Sequence, residues 1–303
     1  MNAGTAPPAA EPALAEPPFL LHRPAGALAS PLVFASPHSG RVYPPDMMAA
    51  SALDAAAIRR SEDAFVDVLI AEAQDHGAAV ITAGYARAYV DVNREPYELD
   101  PSMFEDELPD FARGRSARAA AGLGSIARIV AEGQEIYARK LTFAEARRRI
   151  EAVHQPYHAA LSALMGEACG QFGVAVLVDW HSMPSAAART LAQSGDPHSL
   201  GACDLVLGDR FGTACDGAIT SAVERELESM GYRVARNAPY AGGFTTEFYG
   251  RPARRRHALQ IEINRALYLD EASLKPHIGF DRLKSDLERV FEALAACCAA
   301  GLD

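Results

Sequence analysis

The sequence predicts an α/β fold of three layers, and three observations predict it. Segments of strand character alternate with segments of helical spacing through most of the 303 residues. One strand, Val174–Val178, is apolar without a break, as in the middle of a sheet covered on both faces. The polar clusters that carry chemistry come directly after strands, where sites form in folds of this class.

From the N-terminus, Met1–Pro18 is rich in Ala, Pro and Glu and reads as a mobile tail ahead of one domain over residues 19–303. It has no basic segment followed by an apolar run, so it is not a signal peptide. Pro31–Ser36 is a buried strand ending in the turn Pro37-His38-Ser39-Gly40. From Ser61 to Gln74, Phe65, Val66, Leu69 and Ile70 recur at helical spacing. Ser61 suits the N-cap, Glu62 and Asp63 the first turn, and His76-Gly77 the end. Ala78–Thr82 and Ala88–Val92 read as the second and third strands. Pro96–Gly124, with Pro101, Pro109 and Gly114, reads as a long loop.

Phe143–Phe172 is a long helical pattern interrupted near Pro156 and closed by Gly173. Val174–Val178 follows, and Asp179-Trp180-His181-Ser182 comes straight after it. Asp204–Gly208 is a strand, Gly217–Met230 a helix with Gly231 at its end, and Tyr232–Arg236 a strand. Tyr240–Gly250 is a Gly-rich loop, His257–Ile263 the last strand, and Leu283–Cys298 the closing helix.

The 29 Lys and Arg against 39 Asp and Glu leave a net charge of −10. That excludes a general affinity for nucleic acid or an anionic membrane, since either needs a basic face. No stretch approaches the roughly 18 uncharged apolar residues of a membrane helix. The five cysteines are odd in number and form no CxxC pair, which excludes a disulfide framework and a zinc ribbon. A reducing, cytoplasmic setting is the simplest one.

His38 and His181 each follow a strand. Two histidines on separate loops plus a carboxylate are typical ligands of a catalytic zinc, with a further position open to water. Such an ion lowers the pKa of bound water to about 7 and polarises a carbonyl. Glu62 and Asp63 are the candidate carboxylates, and Asp179 is placed to accept the other N–H of His181. The plainer reading of each histidine is a polar loop residue or a hydrogen-bonded core group. Arg94, after Asn93, offers a planar fork for a carboxylate, or pairs at the surface with Glu95 or Glu98. Glu262, inside the last strand, is either a buried ion-pair partner, with Arg265 in reach, or a catalytic group tuned by its surroundings.

Glu151, His154 and His158 share a helical face, but ExxHxxxH is not HExxH and Pro156 disturbs the register. Packing and hydrogen bonding are the better reading. Gly242-Gly243 has neither the GxGxxG spacing nor a following helix. Arg254–Arg256 reads as a solvated loop, and neither Ser39 nor Ser182 lies in GxSxG.

Six short motifs occur in order over about residues 30–270: Ser36-Pro-His-Ser-Gly40, Asp91-Val-Asn-Arg94, Asp179-Trp-His-Ser182, Leu207-Gly-Asp209, Gly242-Gly-Phe-Thr-Thr246 and Gln260-Ile-Glu-Ile-Asn-Arg265. As an ordered set they resemble the N-formylglutamate amidohydrolase family. The resemblance implies a three-layer α/β/α sandwich around a central mixed sheet, similar to the zinc carboxypeptidases. It implies hydrolysis of N-formyl-L-glutamate or a related small anionic N-acyl amino acid, with Zn2+ or another divalent metal, in histidine degradation. A peptidoglycan-type amide on the same site, or a non-catalytic binding protein on the same fold, are the alternatives.

Carried onto this sequence, the resemblance implies His38, Asp63 and His181 as metal ligands, with Glu62 the adjacent alternative to Asp63. It implies Glu262 as general base, Asn93 and Arg94 as the clamp on the substrate α-carboxylate, and Thr246 as a further substrate contact. At Glu247 the chain departs from the family pattern, which carries an arginine there. Arg251 is the nearest replacement for reading a second carboxylate.

Overall fold

The computed structural model describes residues 14–24, 26–114, 116–130, 133–190 and 203–301. Seven strands form the central sheet: β1 Phe19–His22, β2 Leu32–Ser36, β3 Ala79–Ala83, β4 Ala175–Met183, β5 Leu205–Gly208, β6 Val234–Arg236 and β7 Arg256–Asn264. Their order is β1-β3-β2-β4-β7-β5-β6. β3, β2, β4 and β7 run parallel. β1 is antiparallel to β3 at one edge, and the parallel pair β5–β6 is antiparallel to β7 at the other. The sheet is therefore mixed, as the resemblance implied.

The helices in chain order are α1 Pro45–Ala50, α2 Val66–Leu69, α3 Ala117–Ala120, α4 Phe143–Arg149, α5 Gln155–Phe172, α6 Ser185–Thr190, α7 Gly217–Ser229, α8 Phe244–Tyr249 and α9 Gly279–Ala299. Strands β2, β3, β4 and β5 are buried along their whole length. Alternation along β2 explains the two cores. Val33 and Ala35 face Tyr157, Leu161 and Leu164 of α5. Leu32 and Phe34 face Leu287 and Phe291 of α9, with α7 packed beside it through Ile219 and Val223. Burial on both faces is why these strands carry so few polar residues below the site.

Several expectations are corrected. The helix expected over 61–74 is broken into two 3-10 turns, Ile58–Ser61 and Ala71–His76, around the single turn of α2. Ser61 ends the first turn and caps nothing. The cause is tertiary: the Asp63 N–H donates to His38 O at 3.0 Å, and Phe65 takes a left-handed φ of 64°. Ala88–Val92 is no strand; the Asp91 N–H bonds Ser125 O at 2.7 Å and no ladder forms. The helical pattern of 143–172 continues past Pro156, because a π turn over Ile150–His154 precedes it.

The loop expected over 96–124 holds α3, and the Gly-rich segment holds α8, so a helix does follow Gly242-Gly243. β4 runs five residues past Val178, which makes Asp179 and His181 strand residues. Most of the expected tail lies outside the described residues. From residue 14 onward the chain lies on the body, where Leu14 packs against the core and the Glu16 N–H reaches Tyr85 Oη at 3.4 Å.

Candidate active site

Three elements bring the candidate ligands together. His38 sits in the turn after β2. That turn lies so close to the neighbouring chain that a Cβ on Gly40 would come 2.1 Å from Tyr85 O, so only glycine fits. Asp63 is drawn in by its backbone bond to His38. His181 lies on β4, where the parallel register sets it beside Glu262 of β7. The ligand atoms of His38, Asp63 and His181 all lie within 4.8 Å of one another, and all three residues are buried.

Hydrogen bonding decides what these atoms can do. The His38 Nε2–H donates to Asp91 Oδ1 at 2.7 Å, since a carboxylate only accepts. His38 Nδ1 is then turned inward, buried without a hydrogen-bond partner and 3.4 Å from Asp63 Oδ2. The same Asp63 oxygen is 3.0 Å from His181 Nδ1. His181 Nε2 lies between Asp179 Oδ2 at 3.1 Å and Asn93 Nδ2 at 3.0 Å. Burial works against a charge on His181, yet Asp179, Asp63 and Glu262 keep its proton bound well above the usual histidine range. A divalent cation supplies the same positive charge and would also give the unpartnered His38 Nδ1 a partner. The donor set fits a metal ion, with Asp91 and Asp179 as the outer carboxylates that orient the imidazoles.

Asp63, not Glu62, is the carboxylate of this cluster. Glu62 turns away to accept from Tyr43 Oη at 2.7 Å and Arg59 Nε at 2.9 Å. Asp63 Oδ1 accepts from Arg265 Nη2 at 2.9 Å. Burial alone would raise its carboxyl, but the bond to His181, the imidazole of His38 beside it and the charge of Arg265 hold it well below the carboxylate range. Arg265 thus pairs with Asp63, and not with Glu262, a pairing that is one of the two readings open for Glu262 from sequence. Glu262 accepts instead from Gln260 Nε2 at 2.9 Å. Burial lifts its carboxyl to about 7, Asp63 and Asp179 add to the rise, and His181 and Arg87 oppose it. A carboxylate poised there exchanges protons near neutrality, which suits a general base.

The neighbouring segment is held through side chains. Asp91 Oδ2 accepts from Arg87 Nη2 at 2.8 Å, and Asp91 Oδ1 also takes the Asn93 N–H at 2.8 Å. Asn93 Oδ1 accepts the Thr245 N–H at 2.8 Å and Asn93 Nδ2 donates to Asp179 Oδ2 at 3.4 Å, so Asn93 is spent on the protein. A Cβ on Gly243 would lie 2.7 Å from Asn93 Nδ2, which is why glycine stands there. Arg94 donates through Nε to Leu123 O at 3.0 Å and through Nη1 to its neighbour's carbonyl at 2.8 Å. Among the described residues no carboxylate lies within ion-pair distance of it, neither Glu95 nor Glu98. Its guanidinium lines a cavity of about 480 Å³ shared with His38, Asp63, His181 and Glu262.

Two expected contacts lie elsewhere. Thr246 is buried beneath Gly242 and does not line this cavity. Arg251 bonds the carbonyls of Glu247 and Gly250 and lines a separate basin of about 370 Å³. Glu247 lies in that basin too, paired with Arg210 at 2.8 Å. The departure at Glu247 therefore removes no charge from the cavity. Sequence reasoning missed Asp91 and Arg87 as site residues. The signal was available for Asp91, which opens the same motif as Asn93 and Arg94.

A family model described as N-formylglutamate amidohydrolase matches residues 30–269. Two proteins named N-formylglutamate deformylase are similar. The one from Pseudomonas putida is 28% identical over 246 residues, 80% of this chain and 82% of the relative. The one from Pseudomonas aeruginosa is 29% identical over the same length, 83% of that relative. A crystal structure of N-formylglutamate amidohydrolase from Ralstonia eutropha JMP134 superposes with a TM-score of 0.86 at 38% identity, covering 94% of this chain and 99% of that one. A gene product of Agrobacterium tumefaciens shares the fold at a TM-score of 0.63 and 15% identity, covering 94% and 96%. With most of its length matched by the family model, and with five of its six motifs contributing to one cavity, this chain belongs to the N-formylglutamate amidohydrolase family.

Proposed function

We propose that this chain hydrolyses the amide of N-formyl-L-glutamate, giving formate and L-glutamate. The observation that carries the reading is the buried His38–Asp63–His181 cluster with Glu262 beside it in strand register, opening on a cavity that also holds Arg94. Family membership and the names of the relatives support the substrate. His38, Asp63 and His181 would hold a divalent metal, zinc being the usual occupant of such a set, and the metal when bound polarises the formyl carbonyl and acidifies water.

The remaining roles belong to the chain. Glu262 takes a proton from the attacking water and passes it to the departing nitrogen, so one water adds across the C–N bond and formate leaves. Arg94, its plane fixed by two backbone carbonyls, presents its remaining edge to the substrate α-carboxylate and orients the amide over Glu262. Asp91 and Asp179 keep the two imidazoles turned inward.

The test is a metal analysis of the purified chain with formate release from N-formyl-L-glutamate, set beside acetate release from N-acetyl-L-glutamate. Formate release that a chelator stops and Zn2+ restores is the expected result. A metal-loaded chain that releases no formate would sink this reading.

A further inference from the structure

His154 and His158 take no part in the chemistry above, yet both are largely buried against it. His158 Nε2–H donates to Val92 O at 2.7 Å and His154 Nε2–H to Arg94 O at 2.8 Å. Arg149 Nη1 reaches Tyr89 O at 3.5 Å from the same helical rod. These three carbonyls belong to the segment that carries Asp91, Asn93 and Arg94. That segment forms no ladder, so its carbonyls lack the partners a strand would give them.

The π turn explains how one rod supplies all three donors. The Gln155 N–H bonds Ile150 O, five residues back, and so adds one residue to that turn. Arg149, His154 and His158 are then spaced by five and four residues and project toward one segment. The two imidazoles touch with centroids 4.5 Å apart and planes tilted by 33°. His158 Nδ1 faces Tyr249 Oη of α8 at 3.0 Å, and the Thr245 N–H of α8 holds Asn93. The segment and α8 are thus tied together twice, once through His158 and once through Asn93. Burial lowers both histidines, His158 down to about 3, so each keeps one N–H for its carbonyl and His158 also a lone pair toward Tyr249 Oη.

We propose that His154 and His158 are positioning residues, which hold the carbonyls of Val92 and Arg94 and so set Asp91 against His38 and Asn93 against Asp179, the partner of His181. The proposal rests on the metal reading of the site but not on the identity of the substrate.

The experiment compares the full chain with His158→Leu and His158→Gln, with thermal melts to confirm folding. In the metal-free protein, hydrogen exchange of peptides covering residues 88–95 should accelerate about tenfold in His158→Leu, the effect of leaving one buried carbonyl unpaired. The Zn2+ dissociation constant should weaken by about 10- to 100-fold, as when an orienting contact to a ligand is lost. His158→Gln keeps an N–H near Val92 O and should recover most of both. Exchange and Zn2+ affinity like those of the parent chain in a folded His158→Leu would overturn the proposal, as would equal loss in both variants. Should His158→Leu fail to fold, Tyr249→Phe removes the hydroxyl that meets His158 at Nδ1 and at its backbone carbonyl. It should move exchange and affinity in the same direction by less, and parent-like values there would overturn the proposal. A parent chain that binds no Zn2+ would sink the metal reading, and the exchange measurement would then decide the clamp alone.

Discussion

The site is assembled from two regions held in different ways. On one side, His181 and Glu262 stand side by side on the parallel strands β4 and β7, placed by a continuous backbone ladder from Ala175 to Met183. On the other, Asp91, Asn93 and Arg94 lie on a segment with no ladder, placed by side chains from α4, the π turn and α5 and by the Asn93 side chain on a backbone N–H of α8. Main-chain pairing fixes a residue whatever its neighbours are. Side-chain clamping fixes it only while each clamp is present. The first region should therefore fail only when a reacting group is removed, and the second should fail by degrees.

The largest effect is expected from His181→Ala. It removes a donor from the ladder side, so metal content and formate release should both be lost while the protein stays folded. Metal analysis and circular dichroism check this together. Glu262→Gln should retain metal and lose about 10²- to 10⁴-fold in kcat, the usual contribution of a positioned base. In the parent chain kcat/KM should fall as pH drops below about 7, because Glu262 must be ionised to accept a proton and burial raises its carboxyl to about 7. A bound cation opposes that rise and moves the limb lower, so a limb above 7 in a pH–rate profile would contradict the assignment.

Asp91→Asn tests the clamped side. It keeps the shape but takes away the charge that orients His38, and Zn2+ affinity should weaken by about 10- to 100-fold in a chelator competition. The smallest effect is expected from Arg251→Ala. Its basin is separate from the cavity, so kcat/KM for N-formyl-L-glutamate should stay near the parent value. A large rise in KM would bring Arg251 back as a substrate contact.

The same contrast separates what was legible in the sequence from what was not. Val174–Val178, Asp204–Gly208 and His257–Ile263 were readable as strands because runs of buried apolar residues announce a covered sheet. His38, His181 and Glu262 were readable because polar residues at strand ends stand out against such runs. Ala88–Val92 has the same apolar look and is no strand, because its backbone bonds go to distant groups such as Ser125 and His158. The helix expected over 61–74 failed for a like reason, its backbone being drawn to His38. Asp91 escaped notice since its task depends on His38 and Arg87, residues far or differently placed in sequence. The choice between Glu62 and Asp63 needed the third dimension too, because adjacent carboxylates point opposite ways and only coordinates show which meets the histidines.

The parallel pairing of β4 with β7 has one further consequence. Side chains alternate along a strand, so slipping either strand by one residue would bring Trp180 or Ile263 to the place of His181 or Glu262. The pairing of the proposed metal donor with the proposed proton acceptor would be lost in a single event. Insertions and deletions within these two strands should therefore be far less tolerable to the lineage than substitutions on their flanks, and new specificities should arise by remodelling the loops around the cavity.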